Sequence, residues 1–303
     1  MTKRSSNEIM QAALAAETAV LAFNIPYLPM MGAVVEALRD TRTFGLITVA
    51  RLEWVKFESG SMAAIHNEYE RVKDERFTRL HLDHCPVIDE DDLAVEYLEE
   101  TTRAVELGYE SVMVDGSRLP LRENIAATRR VVDMAHASGI PVEAELGAVL
   151  GHEAGPLPPY EELFSTGRGF TDVDEAVRFV RETQVDWLSV AVGNIHGAIS
   201  AAKKNETKLA ARLDIDHLKR IRQATGVPLV LHGGTGIRRE YVLDAIASGI
   251  AKINVATAIR QPYERLREES VEKAQRAVYE AVRTLVRDEL DLAGNVDMIN
   301  PVL

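Results

Sequence analysis

The stretch Arg79-Leu80-His81-Leu82-Asp83-His84-Cys85-Pro86 joins an apolar run to a cluster of polar side chains. Pro86 lacks a backbone N–H and is expected to stop the run, so the pattern predicts a buried strand over 77–84. Successive side chains of a strand point to opposite faces, which places His81 and Asp83 together and His84 opposite, unless the last residues of the strand splay. With splayed ends, Asp83 and His84 would reach one cavity.

Seven further short apolar and β-branched runs recur along the chain, at 19–25, 44–50, 111–115, 141–147, 187–193, 227–233 and 250–257. Most are continuously hydrophobic, which is typical of parallel strands buried on both faces. Helical patterns lie between them, and three of these, 89–108, 122–139 and 216–226, end on a glycine.

Eight strands that alternate with helices predict an α/β fold, a (β/α)8 TIM barrel. A doubly wound sheet is the alternative, because strand order cannot be derived from these patterns. We expect a single domain over 1–303, in which 263–303 forms a closing helix and a C-terminal helical extension.

The composition indicates a soluble globular protein, with 46% hydrophobic and 27% charged residues among 303. The net charge of -12 argues against nucleic acid as the main partner. A single cysteine, Cys85, excludes an internal disulfide framework and is expected to be a small core residue. No secretory leader and no long apolar run are evident, so we expect a cytoplasmic protein without a membrane segment.

In a barrel of this kind, the polar residues that end the strands meet at one mouth. They are Asn24, Asp83, His84, Asp115, Glu143, Glu145, Asn194, His196, His232, Asn254 and Thr257. Burying these carboxylates together without partners would be costly, and a metal explains the set more simply. Three neutral imidazoles, from His84, His196 and His232, would leave the open coordination position of a catalytic zinc site.

A lone histidine is more often structural than a ligand, and the remaining five are interpreted as structural: His66, His81, His136, His152 and His217. Glycines follow His232 in the sequence Gly233-Gly234-Thr235-Gly236. Loops after the seventh and eighth strands of such barrels commonly bind phosphate through backbone N–H groups. A metal beside this loop suggests a phosphorylated substrate.

The sequence resembles the class II, zinc-dependent ketose-bisphosphate aldolases, which include fructose-bisphosphate and tagatose-bisphosphate aldolases. The resemblance covers nearly the whole chain and rests on segments that occur in family order. They are Ala22-Phe23-Asn24, His81-Leu82-Asp83-His84, Val114-Asp115-Gly116-Ser117, Glu143-Ala144-Glu145-Leu146-Gly147, Gly193-Asn194-Ile195-His196-Gly197, Leu231-His232-Gly233-Gly234 and Lys252-Ile253-Asn254-Val255-Ala256-Thr257.

The resemblance implies reversible cleavage of a ketose phosphate or bisphosphate to dihydroxyacetone phosphate and an aldehyde, through a zinc-stabilised enediolate. Asp83 would take the proton of the C4 hydroxyl, and Glu153, on a long loop over 151–171, would act on the carbon proton. The metal would be one Zn²⁺ per chain, or another divalent transition metal. It would be bound by His84, His196 and His232, with Asp115 and Glu145 as ligands of an alternative position.

The resemblance also implies substrate contacts and an assembly. Substrate would bind at Asn24, Gly197, Gly233, Thr235, Asn254 and Thr257. A homo-oligomer, a dimer or a tetramer, is expected.

Three departures from the family pattern leave the substrate open. The segment His196-Gly197-Ala198-Ile199-Ser200 lacks the expected lysine, for which Lys203 and Lys204 are candidate replacements. Arg51 follows the second strand, as a new anion contact or a surface ion pair, and Ala258 stands where an acid is common. A metal-dependent sugar-phosphate isomerase or epimerase and a non-catalytic sugar-phosphate-binding protein are the alternatives.

Overall fold

A closed barrel of eight parallel strands, in the order β1 to β8, forms the centre of the protein. This computed structural model describes residues 3–148, 160–194, 211–234 and 236–301. The strands are β1 Val20–Asn24, β2 Gly45–Ala50, β3 Thr78–Pro86, β4 Ser111–Asp115, β5 Val142–Leu146, β6 Trp187–Val190, β7 Leu229–Leu231 and β8 Ile250–Val255. Pairing of β1 with both β2 and β8 closes the ring. The predicted barrel is confirmed and the doubly wound sheet is excluded.

Helices pack around the outside of the barrel. They are α1 Ser6–Ala15, α2 Met30–Asp40, α3 Arg51–Val55, α4 Met62–Val72, α5 Tyr97–Leu107, α6 Leu121–His136, α7 Tyr160–Thr166, α8 Val173–Thr183, α9 Ile215–Thr225, α10 Arg239–Ala247, α11 Thr257–Leu266, α12 Val271–Thr284 and α13 Val296–Ile299, with a π-helical turn at Leu285–Glu289. Strand residues are almost uniformly buried, because helices cover one face and the barrel interior the other.

The helix predicted over 89–108 is wrong at its beginning, since α5 begins only at Tyr97. The preceding residues form a loop in which Asp89 Oδ1 accepts hydrogen bonds from the backbone N–H groups of Asp91 and Leu93. These side-chain hydrogen bonds take the place of the backbone hydrogen bonds that a helix would form here. Leu93, an apolar residue within the predicted helix, is 62% exposed.

The C-terminal region also differs in detail from its prediction. Helix α11 begins at Thr257, before the expected closing helix at 263, and contains Pro262. The last helix, α13, is preceded by Asn295, whose side chain accepts from Phe44 N–H and donates to the Ala19 carbonyl. These bonds attach the C-terminal segment to the ends of β1 and β2. Among the described residues, no helix is long and apolar enough to span a membrane.

Candidate active site

An irregularity in strand β3 brings Asp83 and His84 to the same cavity. The pairing of β3 with β4 shifts between Leu82 and Cys85, so β3 contains an extra residue at this point. A bulge of this kind redirects the side chains beside it. Asp83 and His84 therefore both line the cavity, as the splayed-strand alternative predicts. Cys85 is buried against α5, where its Sγ lies 3.7 Å from the Tyr97 carbonyl, as expected for a core residue.

The cavity has a volume of about 480 Å³ and opens at the carboxyl ends of the strands. Its wall combines apolar side chains with carboxylates, imidazoles and two guanidinium groups. A site of this size and lining is typical of a small-molecule site in a barrel.

Nine of the sequence-predicted site residues line this cavity: Asn24, Asp83, His84, Asp115, Glu145, His232, Gly233, Asn254 and Thr257. Of the others, Glu143 and Asn194 are described but do not line the cavity, whereas His196, Gly197, Glu153 and Thr235 lie outside the described residues, as do Lys203 and Lys204.

Asp83 is a buried carboxylate surrounded by donors and cations. Asn24 Nδ2 donates to Asp83 Oδ2 at 2.8 Å, and Asn254 Nδ2 lies 2.9 and 3.0 Å from the two carboxylate oxygens. Burial alone would raise the Asp83 pKa, but the positive charges of His84, Lys252 and His232 hold it well below its usual value. Asp83 is therefore ionised at neutral pH and can accept a proton.

His84 is oriented by a carboxylate on the neighbouring strand. Its Nδ1 lies 3.1 Å from Asp115 Oδ2, while Asp115 Oδ1 accepts from the N–H and the hydroxyl of Ser117. Burial opposes protonation of His84, but the charge of Asp83 and the hydrogen bond with Asp115 raise its pKa to about 10. A histidine held through Nδ1 by a carboxylate presents Nε2 as a ligand atom, an arrangement common in metal sites.

His232 lies between two buried glutamates of β5. Its Nδ1 is 3.0 Å from Glu145 Oε2, and its Nε2 is 2.9 Å from Glu143 Oε1. Burial and the charge of His84 lower its pKa, but the hydrogen bonds with the two glutamates outweigh them and raise it. The His84 and His232 ring centroids are 4.4 Å apart.

A second polar layer lies beneath the cavity floor, and sequence analysis missed its role. Lys252 Nζ is 2.7 Å from Glu143 Oε2 and 3.7 Å from Asp83 Oδ1, and all three side chains are buried. His81 Nδ1 is 2.9 Å from Ser111 Oγ, and its Nε2 is 3.5 Å from Glu143. The signal available in the sequence was Lys252 itself, a cation inside an apolar strand, where it requires an acidic partner.

The loop after β7 and the beginning of α11 form the part of the wall expected to bind phosphate. Gly233 has φ of +67°, a conformation that favours glycine. Thr257 begins α11, so the helix N-terminus faces the same cavity. Within the described ranges, Asn254 Oδ1 is buried without a hydrogen-bond partner, which is costly unless a ligand supplies one.

Arg51 forms ion pairs instead of a new anion contact. Its guanidinium lies 3.4 Å from Asp89 and 3.1 Å from Glu100. Arg118 also donates to the Asp89 carbonyl and pairs with Asp92. These contacts attach the loop before α5 to the cavity rim.

The donor atoms at the centre of the cavity suit a divalent metal. One ligand atom each from Asp83, His84 and His232 lie within 4.8 Å of one another, and the same holds for His84, Asp115 and Glu145. Two imidazoles with nearby carboxylates are a donor set that zinc and related transition metals prefer. The residues present therefore fit a metal ion.

Comparison with known proteins agrees with this geometry. The family model for class-II fructose-bisphosphate aldolases matches residues 4–297. A fructose-bisphosphate aldolase of Geobacillus stearothermophilus is 33% identical over 260 residues, which cover 85% of this chain and 82% of that protein. A 6-phospho-5-dehydro-2-deoxy-D-gluconate aldolase of Halalkalibacterium halodurans is 34% identical over 262 residues, 86% and 82% of the two chains.

The crystal structure of the YdjI aldolase from Escherichia coli K12 superposes with a TM-score of 0.73 at 25% identity, covering 97% of this chain and 99% of that one. Sequence, fold and the chemistry of the cavity thus agree. The chain belongs to the class-II fructose-bisphosphate aldolase family, and it is a carbon–carbon lyase.

Proposed function

We propose that this protein is a metal-dependent aldolase that reversibly cleaves a ketose phosphate or bisphosphate between C3 and C4, giving dihydroxyacetone phosphate and an aldehyde. The observation that carries the proposal is the placement of an ionised carboxylate, Asp83, beside two imidazoles, His84 and His232, in one cavity. This reaction requires a base for the C4 hydroxyl and a cation for the negative charge that develops on the ketose oxygens.

His84 and His232 would hold the metal, joined by His196 as the third imidazole. Asp115 and Glu145 already hydrogen-bond to the two rings and would orient them, or serve as ligands of an alternative position. Zinc is the preferred metal for imidazole ligands. When bound, it supplies Lewis-acid stabilisation for the charge left on the ketose oxygens by bond cleavage.

Electrostatics favour a cation at this position even before a metal binds. The carboxylates of Asp83, Asp115, Glu143 and Glu145 surround the two histidines and raise their pKa values. A divalent ion supplies the positive charge that the protons otherwise provide, so protons and metal compete. One of the two carboxylate contacts of His232 must be exchanged when its ring binds the metal.

Asp83 would remove the proton of the C4 hydroxyl as the C3–C4 bond breaks. Asn24 and Asn254 fix the orientation of its carboxylate by hydrogen bonds, which preorganises the base. The orphaned Asn254 Oδ1 would accept a hydrogen bond from a substrate hydroxyl. Glu153 would return a proton to carbon, a role that rests on the family resemblance.

The phosphate of the dihydroxyacetone half would bind at Gly233 and Thr257, together with Gly197 and Thr235. Glycine at φ +67° and the N-terminus of α11 support this assignment. The two bacterial relatives have nearly equal identity but names that specify different substrates. We also propose that the protein forms a homo-oligomer, a dimer or a tetramer. Sedimentation analysis would measure the number of subunits.

The test combines metal analysis with an aldehyde-release assay on one preparation. We expect about one zinc ion per chain, aldehyde release from at least one member of a ketose phosphate panel, loss with a chelator and recovery when zinc is returned. His84→Ala should lose both metal and activity, whereas His136→Ala, which removes a surface histidine paired with Asp186, should lose neither. Bound metal without aldehyde from any ketose would favour the isomerase or the binding protein, because isomerisation releases no aldehyde.

A further inference from the structure

Asn194 is a buried amide after β6 to which the proposed reaction gives no role. It is 3% exposed and does not line the active-site cavity. Its Oδ1 accepts a hydrogen bond from Val192 N–H at 2.9 Å, and its Nδ2 donates to the carbonyls of Val190 at 3.3 Å and His232 at 3.0 Å. The oxygen and both N–H groups of the amide therefore have partners, which fixes the orientation of the side chain.

The bond to His232 joins two strands beyond the end of their pairing. The last paired residues of β6 and β7 are Ser189 and Val230. Past this point the Asn194 side chain supplies a cross-strand hydrogen bond, and the acceptor is the backbone carbonyl of a proposed metal ligand. The two bonds within the β6 segment would suffice to close the turn after that strand. They do not explain the third bond, which reaches the site.

The third bond fixes the peptide unit between His232 and Gly233. In a planar trans peptide the C=O and the N–H point in opposite directions. The carbonyl points to Asn194, outside the cavity wall, so the Gly233 N–H points to the other side, and Gly233 lines the cavity. In the part of the chain that the structure describes, this N–H donates to no protein acceptor. It is therefore available to a ligand.

The imidazole of His232 is held separately from its backbone. Its Nδ1 lies 3.0 Å from Glu145 and its Nε2 lies 2.9 Å from Glu143, whereas Asn194 contacts only the backbone carbonyl. A change at Asn194 should therefore turn the peptide unit without removing the partners of the ring.

Resting on the proposed function, we propose that Asn194 is a positioning residue that holds the His232–Gly233 peptide with the Gly233 N–H directed at the phosphate of the substrate. A donor that is oriented before the ligand arrives loses little freedom on binding, so more of its hydrogen-bond energy contributes to affinity. Asn194 itself touches neither the phosphate nor the metal in this arrangement.

The experiment measures phosphate and metal affinity on the zinc-loaded, full-length protein. Calorimetric titration with sn-glycerol 3-phosphate, which cannot be cleaved, gives the Kd for a phosphate ligand, and competition with a chelator gives the Kd for zinc. Asn194→Leu keeps the branched shape of the side chain but has no donor. The Kd for glycerol 3-phosphate should rise about 10-fold, the effect of one hydrogen bond to a charged group, while the Kd for zinc stays within about 3-fold.

Asn295→Leu is the matched control. Asn295 is 1% exposed and joins Phe44 N–H and the Ala19 carbonyl, at 2.9 and 3.0 Å, at the opposite end of the barrel. Its loss should destabilise the protein in a similar way and leave both Kd values unchanged. An unchanged phosphate Kd in Asn194→Leu overturns the proposal. So does an equal rise in the control, or a parallel loss of zinc, because each indicates a general disruption.

A measurement on the wild type tests the same contact even if Asn194→Leu does not fold. Labelling with carbonyl-¹³C histidine and ¹⁵N glycine selects the two His–Gly pairs of the sequence, His196–Gly197 and His232–Gly233. The signal lost in Gly233→Ala belongs to the second pair. Glycerol 3-phosphate should shift its amide proton downfield, as expected for a new hydrogen bond, and an unshifted signal at saturation refutes the proposal.

Neither measurement requires turnover, which separates this inference from the proposed function. If phosphate affinity depends on Asn194 but no ketose phosphate releases an aldehyde, the aldolase proposal fails and the role of Asn194 stands. If aldehyde is released and Asn194→Leu binds glycerol 3-phosphate like the wild type, the aldolase proposal stands and the role of Asn194 fails.

Discussion

Asp83 and Glu53 line one cavity, yet their surroundings put them in opposite protonation states. Asp83 accepts hydrogen bonds from Asn24 and Asn254 and lies 3.7 Å from Lys252. Glu53 accepts hydrogen bonds from Ala50 N–H at 2.8 Å and from the Asn24 side chain, but burial and the nearby charge of Asp83 outweigh their effect on its pKa. The pKa of Asp83 is held well below its usual value, whereas that of Glu53 is raised to about 8.

The difference shows that burial does not decide whether a carboxyl group is charged. Both groups are desolvated, and the number and charge of their partners set the outcome. An ionised carboxylate can accept a proton, and a neutral acid can donate a hydrogen bond. The cavity thus contains two buried carboxyl groups whose pKa values are shifted in opposite directions.

Removing Asp83 should have the largest effect on activity. Asp83→Ala should lower kcat for aldehyde release by roughly 10²–10⁴-fold, because it removes the proposed base. Metal content should stay at the wild-type value if Asp83 acts only on the proton. Both quantities are measured on one sample after circular dichroism has verified the fold.

Asp83 also offers an oxygen within 4.8 Å of the ligand atoms of His84 and His232. Loss of metal together with activity would assign Asp83 as a ligand. Wild-type kcat in the variant would remove it from the reaction altogether.

Lys252→Met removes the buried cation next to Asp83, so the surroundings of Asp83 become more like those of Glu53. Met has a similar length but leaves Glu143 and Asp83 buried without the ammonium that lies 2.7 and 3.7 Å from them. Breaking a buried ion pair by removing one partner costs about 3–5 kcal/mol, so the free energy of unfolding in urea should fall by that amount.

Lys56→Met is the matched control, because Lys56 is 40% exposed and pairs with Glu90 and Asp91 at the surface. Its effect should stay below about 1 kcal/mol. Adding Glu143→Gln to Lys252→Met should restore part of the loss, since the uncompensated charge is then absent. Wild-type stability in Lys252→Met alone would show that the ion pair does not hold this layer together.

The sequence was sufficient to predict the barrel, because most strands are continuous apolar runs and polar residues stand at or near the carboxyl ends of several of them. It was insufficient for the residues before α5. There the Asp89 side chain accepts hydrogen bonds from the backbone N–H groups of Asp91 and Leu93, in competition with helical backbone bonds. A helical pattern of apolar residues does not reveal this competition.

For the site, residue type and strand position located Asp83, His84 and His232 correctly in one cavity. The bulge in β3 that makes His84 reach it depends on the register between two strands, which one sequence does not contain. Glu53 and the Lys252–Glu143 pair were missed for a related reason. Their roles arise from neighbours more than 20 positions away in the chain, on other strands.

The smallest effect is also the most direct comparison of the two carboxyl groups, the dependence of stability on pH. The folded-state pKa of Glu53, about 8, lies above its ordinary 4.5, so its stabilising contribution is complete below 4.5 and is lost as the pH rises through 8. Asp83 has a lowered pKa, so its contribution is present above its ordinary 3.8 and is lost as the pH falls toward the folded-state value.

We therefore expect the free energies of unfolding of Glu53→Gln and Asp83→Asn, measured in urea with a chelator and relative to the wild type, to change with pH in opposite directions. Between pH 5 and pH 8, Glu53→Gln should gain stability relative to the wild type by up to about 1 kcal/mol per pH unit, because the variant has no proton to lose. Asp83→Asn should approach the wild type only as the pH falls below 3.8. Parallel pH profiles for Glu53→Gln and the wild type would mean that Glu53 is ionised in the folded protein, and the contrast between the two carboxyl groups would disappear.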